Sequence, residues 1–551
     1  MFKFEDFSEK NSWNILSLLR KRADELGEKT FIEFDSGKSL SFRSLDDKSS
    51  KLAIKLRSLG LKENDNVFCF LKNCPELLVS LFAIMKAGGI FVPINTELRG
   101  KFLSHQYTNS NPKIVIVNHD LVEFFEKVDT LNQDLLGVFC VDHIPENFPL
   151  ALDSGEKFNF DLIMNESLEG KEIKLVNEPP IHQICSIMYT SGTTGPSKGV
   201  LLTHGHFFSF AITSAEQGSL TTADTYYICM PLFHVNGLNM QCLGSLYAGI
   251  SVYCVEKFSP NRWLSDLIKS KATVTNLLGV MPEFVFNTSP SSDDKKHHLR
   301  IIMAAPIGKD WGKDFEERFK IKFLQGFGMT ESGMSFWEDL SEDNTIPGCP
   351  GYPNRDLYEV KIANPENDEF LPANKVGELL IRPRWPGIFS AGYFKMPEKT
   401  IEAWRNLWFH TGDACYFDDR GRMHYFDRIK DCIRRRGENI SAFELEQVIN
   451  AYENVIECAA IGVKTEDSGG EDEVLVCIVK ENNTELEFDG FLNYCKANLP
   501  RFAIPKFVRF IESIKKTGSG KMSKVILREE GLTSDSLLLD PSFKKPLNKI
   551  K

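Results

Sequence analysis

Apolar positions in the N-terminal half of the chain switch repeatedly between two spacings. Residues Leu45–Leu59 repeat leucine, isoleucine and alanine at helical intervals, which predicts an amphipathic helix. Asn66–Leu71 is a short, almost continuous apolar run and predicts a buried strand. Cys74–Ala87 predicts a helix closed by Gly88 and Gly89, and Ile90–Ile94 and Ile114–Val117 predict further strands. The alternation returns at 205–305. There it predicts a helix, a strand near Tyr226–Met230, a helix, a strand near Ser251–Val255, a helix at Arg262–Ser270 and strands near Val274 and Ile301. Strands and helices that take turns predict parallel sheets covered by helices. Beyond about residue 345 the pattern breaks into short strands and turns rich in Pro and Gly. A last block, 431–527, has an alternation of its own through Ala442–Ala451, Val455–Val463, Val474–Lys480 and Glu487–Ala497. The final twenty residues, ending SFKKPLNKIK, predict weak order, and no solenoid-length repeat is present.

A chain of 551 residues exceeds one ordinary core and predicts at least two domains. With 42% hydrophobic and 26% charged residues the composition is that of a globular protein. The net charge of −11 argues against a duplex nucleic-acid partner, whose phosphates it repels. Thirteen cysteines without a C-x-x-C pair, and an acidic, interrupted N-terminus unlike a signal peptide, predict a reducing cytoplasm. The longest apolar run, Leu77–Met85, ends at Lys86 and is far too short for a membrane span. The terminal KIK carries no peroxisomal or lipidation signal.

The most informative stretch is YTSGTTGPSKGV, Tyr189–Val200. Strands are predicted on both sides, at Ile184–Met188 and Val200–Leu202, with a helix only after Thr203 or His204. Glycines let backbone N–H groups approach an anion, while Ser191, Thr193, Thr194, Ser197 and Lys198 supply hydroxyls and charge. That chemistry makes a phosphate cradle joining two strands; the bland alternative is a flexible Gly/Ser/Thr hairpin. It is not a Walker A loop, because Ser197 stands where that motif needs glycine.

Four further segments carry chemistry. In QGFGMTES, Gln325–Ser332, Glu331 can hold Mg2+, Thr330 can touch a phosphate, and Phe327 can stack on a purine beside Ala304, Ala305 and Pro306. A turn with a core phenylalanine is the competing reading. In WFHTGD, Asp413 can accept two hydrogen bonds from a ribose diol, and Arg428 of DRIKD can reach ribose or phosphate oxygens; an ordinary turn competes here too. In KKTGSGKMSK, Lys521 sits behind Gly518, Ser519 and Gly520, suited to neutralising charge at a phosphoryl centre, with a solvated basic loop as the alternative. His234 of MPLFHVNG follows a strand and precedes Gly237, so it reads equally as a cleft residue and as a core histidine. The pairs His204/His206 and His297/His298 lack a third ligand at zinc spacing.

These five signatures, in their order along the chain, resemble the adenylate-forming superfamily of acyl-CoA synthetases, adenylation domains and luciferases, over residues 15–527. Among its branches the chain is most similar to stand-alone acyl-CoA ligases of the bacterial carnitine/crotonobetaine-CoA ligase type, with VEKFS, KATVTN and RRRGENIS as lesser support. The resemblance implies an α/β fold: a large N-terminal domain, 1–429, of helix-covered, mostly parallel sheets plus a small β-barrel-like part. It also implies a small mobile α+β lid, 430–530, hinged at Lys430, and a tail at 531–551. It implies an acid–thiol ligase that converts ATP and a carboxylic acid to acyl-AMP and pyrophosphate, then passes the acyl group to coenzyme A. Mg2+ is the implied cofactor, and the partners are small molecules, with a homodimer open to it.

Carried over by position, Thr190, Ser191, Gly192, Thr193, Thr194, Gly195 and Lys198 hold the triphosphate, and Glu331 the Mg2+. Thr330 contacts the α-phosphate. Phe327 takes the adenine, with Gln325, Gly326, Gly328, Met329, Ala304, Ala305 and Pro306 in the same ATP site, and Asp413 and Arg428 take the ribose. Lys521 bridges carboxylate and α-phosphate. His234, Val235, Asn236, Leu278, Gly279, Met303, Ser332 and Gly333 gate or line the acyl pocket. Arg436, Gly437, Glu438 and Asn439 meet CoA after the lid turns.

Two departures stand out: Lys515 where the family has proline, and Arg436 where many relatives have a second glycine. Two other readings stay open: an adenylating enzyme with another acceptor, such as a carrier protein, and a nucleotide-binding protein without catalysis. The pocket residues are neutral and show no arginine for a second carboxylate. Phe233, Phe327 and Trp337 are candidates for an aromatic cage around a betaine.

Overall fold

The computed structural model describes residues 13–128, 135–145, 149, 156–165, 175–176, 178–190, 197–279, 281–305, 307–308, 311–342, 345–429, 432–435, 438–465, 472–481, 486–499, 503–516 and 522–539. The chain forms two compact units. One comprises the chain up to Val360 with Ile381–Phe409; the other comprises Lys361–Leu380 with His410 onward.

The first unit carries two seven-stranded sheets of the predicted parallel kind. In one, the strands run Glu156–Asn159, Gly137–Val141, Ile114–Asn118, Asn66–Phe70, Ile90–Pro93, Ile184–Thr190 and Lys198–Thr203. Every pairing is parallel except the last, where a single loop joins neighbouring strands and forces them antiparallel. The other runs Lys322–Leu324, Ile301–Ala305, Val274–Leu278, Thr225–Ile228, Ser251–Cys254, Thr30–Phe34 and Ser39–Ser41, again parallel up to its final hairpin. Its opening helix, Ile15–Leu26, and the strand Thr30–Phe34 lie before the predicted elements; Asn14 caps that helix by accepting from the Ser17 amide.

The predicted helices form close to their expected limits, at Phe42–Ser58, Pro75–Lys86, His204–Gln217 and Pro260–Ser270. Ser41 and Ser44 make a reciprocal capping box for the first. Pro75 starts the second at a position where its missing N–H costs nothing. That helix is buried on every side, which accounts for its nearly unbroken apolar sequence. One amide clasps the two sheets. Asn73, after the strand Asn66–Phe70, donates to the carbonyls of Met230 and Val255 at 3.0 Å each and accepts from the Leu232 amide at 2.8 Å.

A four-stranded sheet ordered Tyr358–Ala363, Gly377–Pro383, Phe409–Phe417, Met423–Arg428 has most of its residues in the second unit. A hairpin, Ile433–Arg435 with Glu438–Ile440, leads to the helix Ala442–Asn450. Another four-stranded sheet follows, ordered Val455–Lys464, Asp472–Lys480, Phe507–Phe510, Leu537–Leu538, with the helix Phe488–Asn498 against it. Ile433, Ile440, Leu445, Ile449, Val474 and Phe491 share its core. Leu537–Leu538 pairs with Phe507–Val508, so ordered structure runs past residue 530, where a tail was expected to begin. All thirteen cysteines are free, and among the described residues no helix is long and apolar enough to cross a membrane.

Candidate active site

In the first unit, the strands Ile184–Thr190 and Lys198–Thr203 form the rails of the cradle, with Thr190 opposite Lys198 and Tyr189 opposite Gly199. Gly199 fits only because it lacks a side chain: a Cβ there would stand 2.7 Å from the Ile187 side chain. The helix Gly100–Ser110 braces the rails. Gln106 donates to the Ser197 hydroxyl at 3.0 Å, His105 meets the Ser197 carbonyl at 3.1 Å, and the Tyr189 hydroxyl donates to Asn109 at 2.7 Å. Ser191, Gly192, Thr193, Thr194 and Gly195 lie outside the described residues, as do Pro306, Lys430, Arg436, Gly437 and Lys521.

The segment Ala391–Phe394 pairs along the second rail, as a further strand would. Ala391 donates to the Leu201 carbonyl, Leu201 to Gly392, and Phe394 to Gly199. This pairing brings Tyr393, which sequence reasoning did not single out, into the site. The Lys198 ammonium sits 4.8 Å above the Tyr393 ring, and the Tyr393 hydroxyl donates to Glu331 Oε1 at 2.9 Å. The predicted phosphate lysine and the predicted metal carboxylate thus meet through one tyrosine. Its only sequence signal is a Gly-Tyr after an extended run, too common to stand out.

Where a turn competed for QGFGMTES, the chain forms a hairpin: Gly326–Met329 pairs antiparallel with Gly333–Trp337, and Thr330, Glu331 and Ser332 form its tip. Gly333 closes the tip at φ +75°, and a Cβ there would lie 2.8 Å from the Tyr358 hydroxyl. The tip is held from below by His206, whose ring nitrogens meet the carbonyls of Ile388 at 2.7 Å and Thr330 at 3.0 Å, and by Ser390, which donates to the Glu331 carbonyl. Gln325 faces inward instead. Its amide donates to Glu338 and the Ile346 carbonyl and accepts from the Gly348 amide, so its side chain is committed to the hairpin base.

Register also separates two aromatics offered for a cage. Phe327 pairs with Phe336 and Gly326 with Trp337, and successive residues of a strand face opposite sides, so Phe327 and Trp337 point apart.

Burial keeps His206 uncharged and drives His204, beside it in sequence, down to about 3. In the unfolded chain both titrate near 6.5. The unfolded state therefore binds more protons below that pH, and folding stability must fall as pH drops from about 6.5 toward about 3. Melting temperature measured from pH 8 to pH 5 is expected to decline, and a His204→Leu variant to show a shallower slope; equal slopes would exclude His204 as a source.

Of the predicted acyl residues, Leu278, Gly279 and Met303 lie at or near the carboxyl ends of parallel strands, where open α/β sheets place ligands, whereas Ser332 and Gly333 belong to the antiparallel hairpin. Leu278 pairs with Ala305, Asn276 with Met303, and Gly279 at φ +59° donates to the Ala305 carbonyl at 3.0 Å. His234 accepts from the Asn236 amide at 3.2 Å. The predicted helix after it opens as a π-helix, Asn236–Cys242, a form that recurs at functional sites.

In the second unit, Asp413 and Arg428 face each other across neighbouring strands, the guanidinium Nε 3.0 Å from Asp413 Oδ1. The carboxylate is buried while the arginine is partly exposed. Gly412, at φ +71°, lies within the strand Phe409–Phe417 immediately before Asp413, where a turn competed in the sequence. Glu378 pins this stretch, taking His410 Nδ1 at 2.8 Å on one oxygen and the Gly412 amide at 3.0 Å on the other. Asp368, Glu378 and His410 bring ligand-type atoms within 4.8 Å of one another, but with both Glu378 oxygens already engaged we read them as a brace. The strands Ile433–Arg435 and Glu438–Ile440 flank the predicted CoA loop. Around Lys521, Lys516 bridges Met522 and the Ser523 amide donates to Lys515. Lys524 is rooted on Glu446 at 2.7 Å.

The AMP-binding enzyme family matches residues 19–394, and the AMP-binding enzyme C-terminal domain matches residues 444–521. The crotonobetaine/carnitine–CoA ligase of Salmonella heidelberg is 29% identical over 528 residues, covering 93% of this chain and 98% of that protein. The enzyme of the same description from Salmonella paratyphi B is 30% identical, with the same coverage. The crystal structure of ATP-bound MatB from Rhodopseudomonas palustris superposes with a TM-score of 0.80 at 26% identity, over 94% of this chain and 98% of MatB. Two helix-covered sheets, with a hydroxyl-rich loop between strands, define a nucleotide-using enzyme. The chain belongs to the AMP-binding enzyme family.

Proposed function

We propose that the protein is an ATP-dependent acid–CoA ligase. A carboxylate oxygen attacks the α-phosphorus of ATP, and the bond to pyrophosphate breaks, leaving acyl-AMP. The CoA thiol, losing its proton, then attacks the acyl carbon; the thioester forms and AMP leaves. The observation that carries this reading is the assembly of Lys198, Tyr393 and Glu331 at the end of the cradle's rails. In an enzyme whose relatives are named as CoA ligases, these groups suit a triphosphate and its metal.

Lys198 supplies positive charge and the loop between the rails supplies donors. Tyr393 fixes one oxygen of Glu331, leaving the other to meet a hard cation, which prefers carboxylate and phosphate oxygens. Bound there, Mg2+ would offset charge on the triphosphate as it builds at the α-phosphorus. Asp413, held by Arg428 and by the strand braced at Gly412, offers a carboxylate to the ribose hydroxyls. Lys521 stabilises the adenylation transition state, and the loop at Arg436–Asn439 serves the thiol step. A domain boundary at 429/430, with Lys430 as hinge, and a cytoplasmic location belong to the same proposal.

Purified protein given ATP, Mg2+ and a panel of organic acids is expected to release pyrophosphate, and to turn over to AMP and thioester only when CoA is added. Turnover with a carrier protein in place of CoA would move the acceptor. No pyrophosphate from any acid would sink the reading.

A further inference from the structure

Beside the proposed acyl site, four neutral side chains form a buried relay. Asn236 Oδ1 accepts from Gln241 Nε2 at 2.7 Å and from Asn276 Nδ2 at 3.2 Å. Asn276 Oδ1 accepts from the Tyr226 hydroxyl, which also lies 3.7 Å from the Met303 sulfur. Two donors on one oxygen fix the orientation of the Asn236 amide, so that its NH2 is turned away from the relay. Among the described residues that NH2 meets only the Met240 thioether, at 3.4 Å, a weak acceptor. Tyr226 and Gln241 are fully buried and Asn276 is 1% exposed, whereas Asn236 keeps 6%: it is the end of the relay that opens. Gln241 Oε1, fully buried, has no hydrogen-bond partner among the described residues.

The backbone holds Asn236 in place from several sides. Asn73 clamps the preceding Leu232. Gly237 packs so tightly that a Cβ would stand 2.4 Å from the Pro231 carbonyl oxygen. The π-helix begins at Asn236 itself. The wall is also uncharged. Arg300, whose field reaches Tyr226, is tied to Asp224 at 2.9 and 3.0 Å and to the Gly218 carbonyl at 2.8 Å, leaving it committed to other partners.

We infer that Asn236 is a specificity-determining residue, and that the acid activated here carries a neutral oxygen, hydroxyl or oxo, on its acyl chain. The inference rests on the ligase reading and on Asn236 lining its acyl pocket. A hydrocarbon chain would leave a buried N–H without an acceptor. A second carboxylate would find no uncommitted cation among the described residues at this wall. A quaternary ammonium would find amide donors, and two of its candidate aromatics point apart.

The test pairs acids that differ by one group: 3-hydroxybutyrate against 3-methylbutyrate, and 4-oxopentanoate against 4-methylpentanoate. Malonate and 4-trimethylammoniobutyrate are added as charged probes. The oxygen-bearing member is expected to exceed its methyl counterpart in kcat/KM by about tenfold or more, the scale of one buried donor left unpaired. Asn236→Asp keeps the shape and the two accepted bonds but removes the N–H, and should largely erase the preference in the oxo pair, whose oxygen can only accept; a hydroxyl can still donate to the new carboxylate. Methyl acids, malonate or the betaine outrunning the oxygen-bearing acids in the wild type would overturn the inference while leaving the ligase reading intact. So would a preference for 4-oxopentanoate that survives in Asn236→Asp with an unchanged melting temperature. If no acid releases pyrophosphate, both fall together. The wild-type comparison decides the matter even if the variant does not fold.

Discussion

Replacing Lys521 by alanine is expected to slow acyl-adenylate formation about 10²-fold or more, the loss seen when one preorganised donor is taken from a site of developing charge. Thioester formation from supplied acyl-AMP should be largely spared, because in that step the thiol attacks the acyl carbon and the α-phosphorus forms no new bond. Single-turnover pyrophosphate release and thioester formation, measured separately, check this. Equal losses in both would show that Lys521 has no special role in adenylation. The flanking contacts make the experiment clean. The Lys516–Met522 bridge, the Lys516–Glu457 pair at 2.9 Å and the Lys524–Glu446 pair at 2.7 Å do not involve Lys521, so the stem has its own support.

Replacing Glu473 by alanine is expected to destabilise the C-terminal unit by about 3–5 kcal/mol, the cost of stranding buried charge. Glu473 lies between two cations, with Arg435 Nε at 2.6 Å and Lys506 Nζ at 3.2 Å, and all three side chains are at most 7% exposed. Arg435 also donates to the Ile504 carbonyl at 2.9 Å and stands on the strand that leads into the proposed CoA loop. The loss should appear as a lower denaturant midpoint. It should harm the thioester step more than adenylation. A triple variant, Arg435→Met, Glu473→Leu and Lys506→Met, should regain most of the stability, because apolar side chains of similar size pay no desolvation cost. A loss below about 1 kcal/mol for Glu473→Ala would mean the two cations are solvated rather than buried.

The burial of Arg435 revises one thought that the sequence invites. Three successive arginines before Gly437 read as a basic patch for CoA phosphates, yet the middle one is 2% exposed and serves the core. Charge pattern alone cannot tell a solvated guanidinium from one folded inward against a distant glutamate. Elements were legible where one local cause fixed them. The strands of the parallel sheets are covered on both faces and so show as unbroken apolar runs, and Gly88 and Pro75 punctuate the helix between them. The cradle's two rails were legible for the same reason. What stayed hidden depends on partners far apart in sequence. Tyr393 joins Glu331 across 62 residues, and His206 reaches the Thr330 carbonyl across 124. The Gly326–Trp337 hairpin was masked by glycines that signal a turn but, here, leave room for Gln217 and Met334 against the strand.

Asn73 has a consequence for anyone recombining this protein with its relatives. Its side chain binds across two separately built sheets through three hydrogen bonds, beside ion pairs such as Lys72–Glu256 at 3.4 Å. Grafting either sheet from another family member would therefore transplant one half of a lock. The foreign half must offer carbonyls where Met230 and Val255 stand, or the joint opens however well each part folds.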